Sequence, residues 1–568
     1  MSATNAIQSR GYRSMSAAPN VDTYHWDTVY SATFDVVNAS IKANNTFPAT
    51  FSFKAPEGVD ISGDWDDWAL SIGGSGADVQ MTCTVKSGSV SAMGLTGDLA
   101  GSTIVIQFAL ENVLGGPAVD DPTAKPGSGK ASRLMTKLTA AGPVPAISVI
   151  SEACTFPKLD PSTFGLILDA LPGVFGKYFN ANVDAFQHVF HVMMINEEAD
   201  HDGFTWIKPS ASSYAVAAPA EGATTANSVF GVLALVDGGK IGPLQEQSVD
   251  IAALVGLPKG ANSAFAISAP KVTKHLLLNG AIATIQGSKA SDFQINDSGL
   301  NIINVNKLVW GNFKTSGGVI SPTIDPGDFL MRVDGDHVLL EITNAHFETS
   351  PGVTLHMNLT QRFGFNTVKR KDGKYVFIPD VKSFGNPNLT TNVSVSKGMQ
   401  IAEIVIGCVG IVAALAGGAS ALTSALTDAA DTAVTSATDA VITISEDAAE
   451  DAVSSLSEEE LSEVNEEAAS SADSGVADAD NPDVVQQGSF LKSSQFRIFC
   501  GIAAGVAGAV SGGMALAGPL TNLDYDKIPA FDDFAANVLG ASQWPETKDY
   551  ELLGATFRNS LVCGIKLT

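Results

Sequence analysis

The residue types that could do chemistry are few. His188, His191, Asp200 and His201 fall within fourteen positions, and imidazoles with a carboxylate are the donor set of a zinc centre. On a strand, however, side chains three positions apart project from opposite faces, so His188 and His191 share an ion only if a bulge intervenes. No metal is expected there. The string "GDWDDW", residues 63–68, sets Asp64, Asp66 and Asp67 beside Trp65 and Trp68. Paired carboxylates can serve acid and base or bind calcium, but an acidic turn leading into a strand, anchored by the indoles, accounts for the same residues. "GSGKAS", residues 127–132, imitates a phosphate loop, yet Ala124 and Ala131 stand where that motif needs glycine and a hydroxyl residue. With no nucleophile elbow, cysteine–histidine pairing or dinucleotide fingerprint, neither an enzyme nor a cofactor is expected.

Composition narrows the partners. The 568 residues carry 33 Lys plus Arg against 60 Asp plus Glu, a formal charge of -27. Phosphate recognition draws on clustered cations, which this chain lacks, so nucleic acid is not an expected partner. Five cysteines, Cys83, Cys154, Cys408, Cys500 and Cys563, are odd in number and share no ligand spacing. They read as small interior hydrophobes in a reducing compartment. The first twenty residues read as a disordered polar tail without a signal peptide, implying cytoplasmic synthesis and release by lysis or a specialised route.

These residues need elements to position them. In "VDTYHWDTVYSATFDVVNASI", residues 21–41, Asp27 can cap a helix from Thr28, with Tyr30, Phe34, Val37 and Ile41 recurring on one face. Val29, Ala32, Val36 and Ala39 widen the apolar stripe, which predicts a largely enclosed helix. Alternation in "ATFSFKA", "ADVQMTCTVKSG" and "GSTIVIQFAL" then predicts antiparallel strands. A second strand-rich part runs from about Phe186 through "FQHVFHVMMIN", "SVFGVLALV", "SAFAISA", "HVLLEITNAHFE" and "VTLHMNLTQRF" to "KYVFIPD". The expected divisions are 1–20, 21–180, 181–400 and 401–568, the last holding Gly/Ala-rich helices around an acidic mobile segment at 446–483. Segments 404–426 and 498–523 are long enough to span a bilayer, but Gly, Ala, Ser and Thr give them little transfer energy. A buried helix pair is favoured over insertion.

Together, "DTYHWDTVYSATFDVVNASI", "GDWDDWALSIGGSGADVQMTCTVKSG", "HVFHVMMINEEADHDGFTWIKPSASSYAVA" and "SVFGVLALVDGG" resemble the bacterial TULIP, or tubular lipid-binding, proteins typified by the clostridial 47-kDa and OrfX accessory proteins of botulinum neurotoxin gene clusters. Trp26 to Tyr30 and the Trp206 to Tyr214 stretch with Pro209 are the most specific parts. The resemblance implies an α+β fold in which long helices are wrapped by a strongly curved antiparallel sheet, an elongated roll of two lobes. It also implies a non-enzymatic protein that binds lipid or another hydrophobic ligand, accessory to a toxin or secreted complex. Its partners would be an acyl chain and related TULIP proteins, with transient membrane contact.

Groove candidates on that reading are Tyr30, Phe34, Val37 and Ile41, with Val405, Val409 and Val412 of the later segment, although such positions are more often plain core. Two alternatives are a membrane-inserting or pore-forming component built on the two small-residue segments, and an interaction scaffold with a filled groove.

Overall fold

The computed structural model describes residues 18–114, 131–138, 145–186, 188–194, 205–285, 287–310, 313–315, 318–369, 375–380, 388–395, 542–545 and 550–568. The opening stretch is where it departs most from the sequence reading. Thr28–Thr33 is a strand, here β1, and the helix, α1, runs only from Phe34 to Asn44. Thr33 caps it, its hydroxyl accepting from the Val36 N–H, and Asn45 ends it in the left-handed conformation. Asp27 caps nothing in α1; its carboxylate accepts the Val236 N–H at 2.9 Å. The broad apolar stripe has a different cause from an enclosed helix. β1 is buried on both faces, with Tyr30 and Ala32 in the main core and Val29 in a second cluster with Trp26, Leu233 and Ala266. A strand covered on both sides reads as a continuous apolar run.

β1 lies inside a six-stranded antiparallel sheet ordered Ala211–Ala217, Val229–Leu235, β1, Ser263–Ile267, Ser560–Leu567, Tyr550–Arg558. One sheet thus joins strands from three distant parts of the chain, including the final hairpin, which had been grouped with the Gly/Ala-rich helices. A second sheet takes Thr50–Lys54, Val59–Leu70, Val79–Ala92, Thr103–Phe108 and Ile147–Val149 in that order, with Leu95–Asp98 on the Val79–Ala92 strand. α1 packs between the two, and Asn38 ties it to the second by accepting the Leu70 N–H at 2.6 Å. A nine-stranded sheet follows, centred on the long hairpin His337–Ser350 and Val353–Lys369. The stretches expected to be strand-rich hold strands at 189–194, 229–235, 263–267, 337–350, 353–369 and 375–380.

The expected long helices are not supported among the described residues. Beyond α1, Pro161–Ala181 forms one helix, α2, and Ala269–Val272, Thr273–Leu277 and Leu278–Thr284 make a short helical run containing a π turn. α2 had no counterpart in the sequence reading, although Asp160 followed by Pro161 is a strong helix start. Its buried face, Phe175, Tyr178 and Phe179, meets Phe51 and Trp65 of the second sheet at ring separations of 5.6 Å for Phe51–Phe175 and 5.9 Å for Trp65–Phe179. Beta sheet dominates the architecture, and helices fill between sheets.

Candidate functional site

The outward side of α1 borders an open cleft of about 600 Å³. Val36, Ala39 and Ala43 form one wall, Ala226, Ala261 and Leu567 stand on other elements, and Asp35 is the sole charged side chain in the lining. Pro545 is joined to the helix wall by the Ser40 hydroxyl, which donates to its carbonyl at 2.6 Å. Asn262 fixes the far side: its amide donates to the Leu567 carbonyl at 3.0 Å, and its side-chain oxygen accepts the Leu567 N–H at 2.8 Å. Small apolar residues make up most of the lining, with Thr33, Ser40, Asn262, Thr568 and Asp35 adding polar groups, so the cleft can take up a hydrophobic group with a polar end, and its lining carries no nucleophile beside a base.

The sequence-selected groove residues occupy the opposite side. Phe34, Val37 and Ile41 face the core from α1, and Tyr30 reaches it from β1. Tyr30 packs edge-on against Phe265, Trp544 and His191 at 5.9, 5.6 and 6.2 Å, and burial pushes its hydroxyl pKa upward. Val405, Val409 and Val412 lie outside the described residues, as do both small-residue segments and the acidic stretch. Val36 and Ala39, which line the cleft, had registered in the sequence only as a widening of the stripe.

His188 and His191 are both buried, and a bulge between Val189 and His191 makes that possible. They serve different aromatic groups: His188 stacks on Phe47 at 5.0 Å, its Nδ1 2.7 Å from the Thr46 hydroxyl, whereas His191 sits edge-on to Trp544 at 4.9 Å. Burial lowers the pKa of each to about 3. Asp200, His201 and the glycine–lysine part of "GSGKAS" are outside the described residues.

"GDWDDW" is not a turn but lies within the Val59–Leu70 strand. Register shifts between Asp64 and Trp68 turn both indoles inward while the three aspartates stay exposed. Cys83 and Cys563 are buried and free, and Cys154 is half-buried. Among the described residues no three of His, Cys, Asp and Glu converge on a common point, and no helix is long and apolar enough to cross a membrane.

The two stretches singled out by resemblance meet in space. Asp27 and Asp237 share Lys271, at 3.5 and 3.4 Å, and Asp237 also pairs with Lys274 and, at 3.2 Å, with His275. Trp206 stacks flat on the His275 ring at 4.1 Å. Burial works to raise the Asp237 pKa, but Lys274, Lys271 and His275 outweigh it and bring the value down to about 2. Burial lowers His275 to about 4 against the pull of Asp237. Tyr214, at the other end of the second stretch, is held apart from this cluster, its hydroxyl accepting the Leu110 N–H and donating to the Ala77 carbonyl.

These features define, among the described residues, an arrangement of antiparallel sheets with helices packed between them and a cleft on α1. The chain belongs to the OrfX-like family: the family described as "Protein OrfX2/OrfX3/P47" matches residues 23–486. It is similar to Protein OrfX3 of Clostridium botulinum (strain Kyoto / Type A2), 24% identical over 412 residues, covering 67% of this chain and 82% of that protein. Protein OrfX3 of Paraclostridium bifermentans is 27% identical over 296 residues, covering 49% of this chain and 58% of that one. Among solved structures, P47 of Clostridium botulinum A2 aligns at 17% identity over 69% of this chain and 86% of that one, with a TM-score of 0.49.

Proposed function

We propose that the chain is a non-catalytic accessory protein of a toxin gene cluster that holds an acyl chain or similar hydrophobic molecule in the α1 cleft. Family membership supports the accessory role, and the cleft supports the binding role. Its volume of about 600 Å³ lies within the range of small-ligand pockets, about 300–1,000 Å³. Each methylene removed from water contributes about 0.8 kcal/mol, so ten carbons gain about 8 kcal/mol before the costs of association. The strong negative charge leaves the apolar part of the ligand to carry the affinity. On this reading the protein belongs with the tubular lipid-binding proteins, touches membrane only transiently to load or unload, and acts beside related family members.

Native mass spectrometry of the full chain, followed by organic extraction, tests it. A bound lipid at fixed stoichiometry, lost in Ala39→Trp and kept in Leu166→Ser on the exposed side of α2, is the expected result. A clean apo mass with no uptake from phosphatidylcholine vesicles would overturn the reading.

A further inference from the structure

We propose that His346 and His356 form a binding site for a borderline transition-metal dication on the nine-stranded sheet. The two residues are direct cross-strand partners in the long hairpin, so their side chains leave the same face within a few ångströms of each other. Their ring centroids are 5.8 Å apart. With metal–nitrogen bonds of about 2.0–2.1 Å, two imidazoles sharing an ion have centroids roughly 5–6 Å apart.

Both Nδ1 atoms converge on one residue. His346 Nδ1 lies 3.0 Å from the Asn344 backbone oxygen, and His356 Nδ1 lies 2.7 Å from the Asn344 side-chain oxygen. Asn344 can present both oxygens because it sits at φ +54° in the bulge between Ile342 and Ala345. The outer nitrogens are held by hydroxyls: Nε2 of His346 is 3.3 Å from the Thr323 oxygen, and Nε2 of His356 is 3.1 Å from the Ser394 oxygen. Each hydroxyl also has a backbone carbonyl to donate to, that of His346 at 3.2 Å for Thr323 and that of Thr354 at 3.4 Å for Ser394.

Without an ion, each ring carries its proton on Nδ1 and donates it to an Asn344 oxygen, while the hydroxyl donates to Nε2; with an ion bound, each hydroxyl turns to its carbonyl and accepts Nε2–H instead. This is the outer support that fixes the tautomer of metal-binding imidazoles. Both Nδ1 lone pairs are then free to meet a cation beside the Asn344 side-chain oxygen, so binding moves each ring proton from Nδ1 to Nε2 without releasing it. Two imidazoles and an amide oxygen suit copper, nickel or zinc and offer little to calcium or magnesium. Water would complete the coordination, since both rings are only half-buried. The overall charge of -27 raises the local concentration of any dication.

The test is isothermal titration of the tag-free, chelator-stripped full chain with CuCl2, NiCl2, ZnCl2 and MnCl2, with circular dichroism to confirm the fold of each variant. One ion per chain is expected, tightest for copper and weaker by roughly ten-fold or more for manganese, following the general order for nitrogen sites. His346→Gln and His356→Gln should each weaken copper binding by roughly ten-fold or more by removing one of two nitrogen ligands. His337→Gln, elsewhere on the sheet, should leave it unchanged. No binding by the unaltered chain, or undiminished binding by the folded double variant H346Q/H356Q, would overturn the assignment.

Discussion

The Arg558 guanidinium closes on the Pro19 carbonyl, Nε to oxygen 2.8 Å, although 539 residues separate the two in sequence. The same group donates to the carbonyls of Val255 and Ala252, each at 2.7 Å, and is itself buried. Val21 extends the joint, its N–H donating to the Arg558 carbonyl at 2.8 Å. A chain-end strap is thereby tied to the last hairpin by a charge whose partners are backbone dipoles. Burial lowers the pKa of the guanidinium, opposed by the charge of Asp250.

Arg558→Ala should therefore destabilise strongly. It leaves three carbonyls without their donor, and losing hydrogen bonds to a charged buried group costs about 3–5 kcal/mol in all. Urea unfolding should show a lower midpoint at unchanged slope, with Arg558→Lys recovering only part of the loss because an ammonium lacks the planar fork. A midpoint equal to that of the unaltered chain would show that the strap contributes nothing to the fold.

Gly63 and Gly88 face each other across adjacent strands, beneath the Phe51 ring. A Cβ on Gly63 would stand 2.2 Å from the Ser87 carbonyl oxygen and 2.8 Å from Phe51 Cζ. Gly63→Ala must displace backbone, not a flexible side-chain end, and should cost about 1–3 kcal/mol. The check is a thermal melt of the variant beside Gly58→Ala. At Gly58 the space is open, and only its positive φ is strained.

Acid should unfold the protein partly through His188 and His191. Each folds with a pKa near 3 against about 6.5 in the unfolded chain. The unfolded state therefore binds more protons between those values, and stability falls as pH drops from 6.5 towards 3. The limiting slope is about 1.4 kcal/mol per pH unit for each imidazole. Melting temperatures from pH 7 to pH 4.5 should decline less steeply in His191→Phe, which keeps an aromatic ring between Tyr30 and Trp544. Parallel declines would place the acid sensitivity in other groups.

Asn262 holds the cleft's far wall through its paired bonds to Leu567. Asn262→Ala removes both and leaves the Leu567 backbone to find other partners, a loss of about 1–3 kcal/mol. Hydrogen exchange at the Leu567 amide should rise in the variant while exchange at Tyr30, in the middle of the same sheet, stays slow. Equal protection at both positions in the variant would mean that the strand pairing alone holds the wall.

Strand positions were legible wherever one face is buried and the other wet, as in "ADVQMTCTVKSG", because period-two alternation survives in the sequence. Val229–Leu235 and Ser263–Ile267 lose that alternation to burial on both faces but remain plain apolar runs, whereas β1, equally buried, also satisfies a helical spacing and so read as a helix. The indoles of "GDWDDW" misled for a related reason. Two side chains three apart enter the same core only through a bulge, and a bulge has no signature in composition. The cleft was half legible: Val36 and Ala39 were visibly apolar, but which side of α1 meets the core depends on the sheets that enclose it.

By itself the sequence determined the acidic charge, the strand-rich middle and the family, because these rest on residue types and their order along the chain. Tertiary structure alone decided that residues near both ends share one sheet, that Arg558 reaches Pro19, and that His346 faces His356. Such contacts are set by strand register and sheet order, which arise from the packing of segments hundreds of residues apart and leave no local pattern to read.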